Sequence, residues 1–130
     1  MKKLIVAIFA ILMFVGCGSD PESVAKKWIE AAYNGDTKTV VAELYLTENE
    51  MKDESLKPQI EGKMGMVVGE AVGKAKKHGG FKKVEMLSKE VNGDNATIKM
   101  KSIFKDGTEE SEGNMKLRKN HKGDWKITLN

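Results

Sequence analysis

The spacing of apolar residues along the chain changes once, near residue 80. Between Val24 and Ala75, apolar side chains recur every three or four positions, which is the period of an amphipathic helix. From Val84 onward they alternate with polar ones, which is the period of a strand with one buried face. Helices followed by strands predict an α+β fold, in which the helices cover one face of an antiparallel sheet.

Starting and stopping residues divide the helical part into three predicted helices. Asp20-Pro21 begins the first and Asn34-Gly35 ends it, because Asp caps helix starts, Pro suits the first turn and Gly favours helix ends. Asp36 or Thr37 caps a short second helix. Thr47–Glu54 is charged and has no period, so it predicts a loop.

The third predicted helix is the longest. Ser55 caps it, Pro58 lies in its first turn, and His78-Gly79-Gly80 ends it. Its apolar stripe consists of Leu56, Ile60, Met64, Val68, Val72 and Ala75. The same helix contains four glycines, namely Gly62, Gly65, Gly69 and Gly73. Each costs ~1 kcal/mol relative to Ala, so we expect either close packing of the helix backbone on the sheet or space for a ligand beside it.

Three turn sequences separate four predicted strands. They are Asn92–Asn95, Asp106-Gly107 and Asn120–Asp124, and they predict an antiparallel meander. The positions expected to face the helices are Val84, Met86, Ala96, Ile98, Met100, Ser102, Phe104, Gly113, Met115, Leu117, Trp125, Ile127 and Leu129. The opposite face is rich in lysine, and it includes Lys99, Lys101 and Lys105.

The first residues have the pattern of an export signal. Lys2-Lys3 precedes Leu4–Val15, a run of twelve non-polar residues that is shorter than the ~20 residues of a membrane span. We therefore predict a signal peptide over residues 1–16, a lipidated N-terminus with a minimal tether over 17–19, and one α+β domain over 20–130. The alternatives are the signal of a soluble exported protein and a retained N-terminal membrane helix.

Phe14-Val15-Gly16-Cys17 resembles the lipobox of bacterial lipoproteins, although Phe14 stands where Leu is usual. The resemblance implies cleavage between Gly16 and Cys17 and a diacylglyceryl group on the Cys17 thiol, which makes membrane lipid the predicted partner. Cys17 is the single cysteine of the chain, whereas exported domains otherwise use cysteines in pairs. Gly18 implies sorting to the outer membrane, facing the periplasm, if the host has two membranes.

Charge and composition argue against nucleic acids, metals and cofactors as partners. Loss of Lys2-Lys3 from 22 basic residues leaves 20 against 19 acidic ones, a mature net charge of +1, which does not attract polyanions over long range. His78 and His121 lie in separate predicted turns, so no metal cluster is expected. We identify no Gly-rich phosphate loop and no nucleophile elbow in the sequence.

The order of elements resembles the nuclear transport factor 2-like (NTF2-like) superfamily. The resemblance depends on Trp28–Tyr33, on Asn34-Gly35-Asp36 after the first helix, and on Gly123–Ile127 in the last strand. It implies a cystatin-like α+β cone, and a small bacterial lipoprotein of uncharacterised function when combined with the lipobox. Enzymes of this superfamily place acids, bases or tyrosines inside the cone, while other members only bind, so the fold alone does not choose a function.

No catalytic residue is predicted, because none of the inward strand positions carries a titratable group. Tyr33, Tyr45 and Asp36 are the only polar residues expected near the interior. We interpret Asp36 as a helix cap and both tyrosines as residues at the edge of the core. A pocket in which one of these residues meets a second polar group would favour an enzyme.

The leading hypothesis is a non-catalytic envelope module that binds a small apolar ligand or a protein partner. Met adapts its shape to apolar ligands, and five methionines are expected to converge on the interior: Met64, Met66, Met86, Met100 and Met115. The predicted pocket consists of Trp28, Tyr33, Met64, Gly65, Val68, Gly69, Met100, Phe104 and Met115. The alternatives are a small hydrolase, isomerase or dehydratase on the same cone, and a docking or inhibitory protein that uses the lysine-rich sheet face.

Overall fold

The computed structural model describes residues 20–129, in which four helices precede four strands. The helices are α1 (Pro21–Tyr33), α2 (Thr37–Ala42), α3 (Glu48–Lys52) and α4 (Leu56–Lys77). The strands are β1 (Phe81–Asn92), β2 (Asn95–Phe104), β3 (Glu109–Lys119) and β4 (Trp125–Ile127). The strands pair in sequence order as an antiparallel meander, so the predicted α+β fold is confirmed.

The caps of α1 and α2 follow the sequence prediction. The Asp20 carboxylate accepts a hydrogen bond from the Ser23 backbone N–H at 2.7 Å, and Pro21 is the first helical residue. At the start of α2, Asp36 accepts one from the Thr39 backbone N–H at 3.1 Å. Gly35 connects the two helices with φ +80°, a conformation that L side chains rarely adopt.

The segment predicted as a loop contains the short helix α3. The Thr47 hydroxyl accepts from the Glu50 backbone N–H at 3.2 Å, and the Glu50 carboxylate accepts from the Thr47 backbone N–H at 2.9 Å. This reciprocal pair is a capping box. No residue of α3 is buried, so the helix leaves no apolar period in the sequence, and the predicted number of three helices is wrong.

The long helix α4 packs against α1 and α2, and Met64, Val68 and Ala75 are its buried residues. Ser55 occupies the N-cap position at its start, as predicted, but the capping bond expected from its side chain is absent. Ser55 makes no side-chain bond to the helix, because its hydroxyl donates to the Asp53 carboxylate at 2.6 Å. None of the helices among residues 20–129 combines the length and the hydropathy of a membrane span.

The inner face of the sheet is the one that alternation predicts in β2. Ala96, Ile98, Met100, Ser102 and Phe104 are all buried. Towards both ends of the meander the prediction is less accurate: Met86 on the edge strand β1 is 40% exposed, and Leu129 lies beyond the short strand β4 and is 53% exposed.

A β-bulge in β3 changes which side chains face the helices. Lys99 pairs with Asn114 and Lys101 pairs with Ser111, so Glu112 and Gly113 together oppose one residue of β2. Gly113 has φ +76°. Met115 and Leu117 are buried after the bulge, but before it the even-numbered residues face inward. The expectation that Gly113 faces inward and that no acid does is therefore wrong.

Candidate functional site

The bulge places the carboxylate of Glu112 beside two hydroxyl groups. Glu112 Oε2 accepts hydrogen bonds from the Tyr33 hydroxyl at 2.6 Å and from the Ser102 hydroxyl at 2.5 Å. Tyr33 is 7% exposed and Ser102 is 0% exposed, so both donors lie in the interior. No residue in the range 20–129 donates a side-chain hydrogen bond to the second oxygen, Glu112 Oε1.

The ring of Tyr33 is fixed by two aromatic neighbours. The ring of Phe81 stacks on it with centroids 5.0 Å apart, and the ring of Phe104 meets it edge-on at 5.3 Å. Burial raises the pKa of Tyr33 well above its ordinary value, and the bond to Glu112 raises it further. Tyr33 therefore keeps its proton at neutral pH and acts as a hydrogen-bond donor to the carboxylate.

Glu112 and Tyr33 line a cleft of about 390 Å³ between α1 and α4, here called the Glu112 cleft. Its other lining residues are Trp28, Ile29, Ala32, Val67, Glu70, Ala71 and Lys74. Lys74 forms an ion pair with Glu110, with 2.7 Å between Nζ and Oε2. Glu110 lies before the bulge glycine, as Glu112 does, and faces the helices. The cleft therefore has an apolar wall, the Glu112 carboxylate at its bottom and an aromatic residue, Trp28, at its side.

A wider opening, here called the helix–sheet groove, lies between the first half of α4 and the ends of β2 and β3. Its volume is about 740 Å³, within the range of small-molecule sites. Its apolar lining consists of Leu44, Leu46, Leu56, Ile60, Met64, Ala96, Leu117 and Leu129, and its polar lining of Tyr45, Glu50, Lys63, Asn95, Thr97, Lys116, Arg118 and Thr128. A smaller hollow of about 500 Å³ shares Leu44, Leu46, Leu56 and Ile60 with it.

The residues of the predicted pocket are divided among several environments. Trp28 and Tyr33 meet in the Glu112 cleft, and Met64 lines the helix–sheet groove. Four residues are buried in the hydrophobic core: Val68, Met100, Phe104 and Met115. Gly65 and Gly69 have open space at the position of a Cβ atom.

The glycines of α4 do not pack closely on the sheet. A Cβ atom built at Gly62, Gly65, Gly69 or Gly73 meets no other group within 4 Å, so close backbone packing is excluded as their explanation. They share the outer side of the helix with Met66, which is 74% exposed. The expected convergence of five methionines is also wrong, because Met66 and Met86 are exposed while Met64, Met100 and Met115 are buried.

The remaining candidate residues are the two histidines and Asp36, and none of them lines the Glu112 cleft or the helix–sheet groove. His78 lies at the end of α4, where its Nδ1 is 2.9 Å from the Asp106 carboxylate, and His121 is exposed in a turn. Hydrogen bonds from Thr39 hold the pKa of Asp36 below its ordinary value, as a helix cap requires. Among residues 20–129, no three histidine, cysteine or acidic side chains are placed to hold a metal ion.

The family model described as Domain of unknown function (DUF4878) matches residues 15–128. The chain belongs to this family. A crystal structure from Campylobacter jejuni, of a protein provisionally named an NTF2-like transpeptidase, matches with a TM-score of 0.76 and 33% sequence identity. The match covers 86% of this DUF4878 chain and 100% of the other. The DUF4878 chain therefore has the NTF2-like fold, as its order of elements indicated. No curated protein matches it.

The inward carboxylate is the main feature of this DUF4878 member that the alternation of residues did not predict. Alternation from Leu117 back along β3 places Gly113 inside and Glu112 outside. A glycine within a strand is a known signal of a bulge. Had Gly113 been interpreted in that way, Glu110 and Glu112 would have been predicted to face inward.

Proposed function

We propose that this protein is a non-catalytic binding module whose helix–sheet groove takes a small apolar ligand. The observation that carries the proposal is the groove itself, an opening of about 740 Å³ whose wall contains side chains such as Leu56, Ile60 and Met64 from α4. Apolar walls with a few polar groups are typical of ligand sites. Met64 on α4 is buried against the core. The groove opens where the ends of β2 and β3 lie apart from the first half of α4.

The short helix α3 contributes to the same groove. Glu50 of α3 lines it, and so do Leu46 and Leu56 from the segments on either side of α3. In the capping box, one oxygen of the Glu50 carboxylate accepts from the Thr47 backbone N–H, which holds this side chain at the start of its own helix. The one acidic side chain that lines the groove, among the residues that the structure describes, is therefore oriented by its own helix.

A titration with 1-decanol, a neutral apolar probe, tests this proposal in the full-length protein. Leu129 lines the groove and is 53% exposed, and Leu129→Asp places a charge in its wall. We expect this variant to bind 1-decanol at least about tenfold more weakly, because an apolar chain packed on this wall would have to desolvate the new carboxylate. The matched control is Leu87→Asp, since Leu87 is 49% exposed on β1 outside the groove. Equal loss in both variants, or no binding at all, would refute the proposal.

We further propose that Cys17 holds the module at a membrane through a thioether-linked lipid. The support is the lipobox pattern at residues 14–17 together with the start of α1 at Pro21, which leaves only a very short tether. The module would then sit directly on the envelope surface. Cys17→Ser is expected to abolish processing of the precursor and its partitioning into membranes, and unchanged partitioning would contradict the anchor.

A second candidate function is proton transfer by Glu112, favoured by the meeting of Tyr33, Ser102 and Glu112 at the base of a cleft. Glu112 Oε1 would act as the base, because Oε2 already accepts two hydrogen bonds. Ser102 does not fit the role of a nucleophile, because it is 0% exposed and its hydroxyl donates to Glu112. Deuterium exchange of cyclohexanone tests this candidate: it requires exchange above background that Glu112→Gln removes.

A further inference from the structure

The charged residues of the helix–sheet groove are mainly basic. Lys63, Lys116 and Arg118 line it, and Glu50 is the acidic residue among its lining. Among residues 20–129, none of the three basic side chains forms an ion pair, whereas Lys74 and Lys126, for example, are paired with Glu110 and Glu43. The groove thus combines an apolar wall with an excess of positive charge, three basic side chains against one acidic.

Arg118 is held in a geometry that suits an anion. Its guanidinium carbon lies 5.3 Å from the centre of the Tyr45 ring, over the ring face. No side-chain hydrogen bond or ion pair within residues 20–129 uses the Arg118 guanidinium, so its N–H groups are available to the two oxygens of a carboxylate. Tyr45 is itself held in place, because its backbone N–H donates to the carbonyl of Ile127 at 2.7 Å.

We propose that the ligand of the helix–sheet groove is a single-chain amphiphile with an anionic head group, a step that rests on the function proposed above. The head group lies against Arg118, with Lys116 and Lys63 nearby. The chain lies along the apolar wall formed by Met64, Ile60 and Leu56. Charge complementarity and the mixed lining together favour this occupant over a neutral or a cationic one.

Three probes with the same ten-carbon chain separate the head-group charge from the chain: decanoate, 1-decanol and decylammonium. We expect the full-length protein to bind decanoate at least about tenfold more tightly than 1-decanol, from the strength of charge-assisted hydrogen bonds. Decylammonium should bind most weakly. The preference for decanoate should decrease as salt is added, because the basic side chains border solvent.

Variants assign the preference to this groove. Lys116→Gln combined with Arg118→Gln should bind decanoate and 1-decanol equally, whereas Lys99→Gln, an exposed lysine outside the groove, should keep the preference. If decanoate and 1-decanol bind equally to the unaltered protein, the anionic head group is refuted and the apolar site remains. If neither binds, both proposals fail. If the double variant keeps the preference, the head group is not held here.

Discussion

The hydroxyl of Tyr33 at the end of α1 donates to the carboxylate of Glu112 in β3 at 2.6 Å, although 79 positions separate the two residues in the chain. Ser102 donates to the same oxygen, Oε2, from the neighbouring strand β2. One carboxylate therefore connects the first helix with the middle of the sheet. Because the donors are buried, this connection contributes to stability as well as to the chemistry of the Glu112 cleft.

Tyr33→Phe should lower the free energy of unfolding by about 1.5–3 kcal/mol, the usual contribution of a hydrogen bond to a charged group. Ser102→Ala should have an effect of similar size, and the double variant should lose more than the sum, since Glu112 Oε2 then has neither donor. Urea denaturation measures all three changes. Tyr45→Phe is the control, because Tyr45 is only half-buried. A loss in that variant as large as in Tyr33→Phe would contradict the role of the bond.

Tyr33 should also make stability depend on alkaline pH. Its pKa in the folded protein is raised above the unfolded value near 10.0, chiefly by burial. The resulting stabilisation is fully present below the unfolded pKa and is lost as pH rises towards the folded pKa. We expect tyrosinate absorbance to show a late ionisation that coincides with unfolding, and Tyr33→Phe to lack it. An unchanged absorbance profile in that variant would assign the late step elsewhere.

Gly113→Ala should destabilise the protein by about 1–2 kcal/mol, the cost of a left-handed backbone for an L residue. The φ angle of Gly113 is +76°, and its Cβ position faces open space, so the loss comes from the backbone rather than from a clash. Gly113→Asn should lose less, because Asn tolerates this conformation better. Thermal unfolding ranks the variants, and equal stability of the Ala and Asn forms would argue against the strained bulge.

Gly69→Ala should have the opposite sign and stabilise the protein by about 1 kcal/mol, the difference in helix propensity. The added methyl group enters open space on the outer side of α4, where nothing lies within 4 Å. Gly62→Ala should behave in the same way, because its surroundings are equally open. A lower melting temperature in either variant would show that the added methyl group meets an obstacle.

The sequence was sufficient for the elements whose stability is local or periodic. The caps Asp20 and Asp36 satisfy backbone N–H groups three residues ahead, so both the cap and the start of its helix could be predicted from a few letters. The buried face of β2 also followed, because that strand lies between two others and keeps its alternation from Ala96 to Phe104.

Features that do not follow from the regular spacing of apolar residues were not predicted. Helix α3 has no buried residue, so only its capping box marks it. Ser55 has an alternative acceptor in Asp53, and that local bond wins over the expected cap. The inward position of Glu112 depends on one extra residue in β3, and strict alternation cannot detect a change of phase.

Because of that change of phase, the two halves of β3 direct different kinds of side chain towards the helices. Glu110 and Glu112 precede Gly113 on the inner side, whereas Met115 and Leu117 follow it and belong to the core or its border. Substitution at the first pair can alter the chemistry beside Tyr33 while the hydrophobic contacts of the second pair stay intact. One extra residue in β3 thus lets a single strand carry a polar recess and a hydrophobic border side by side.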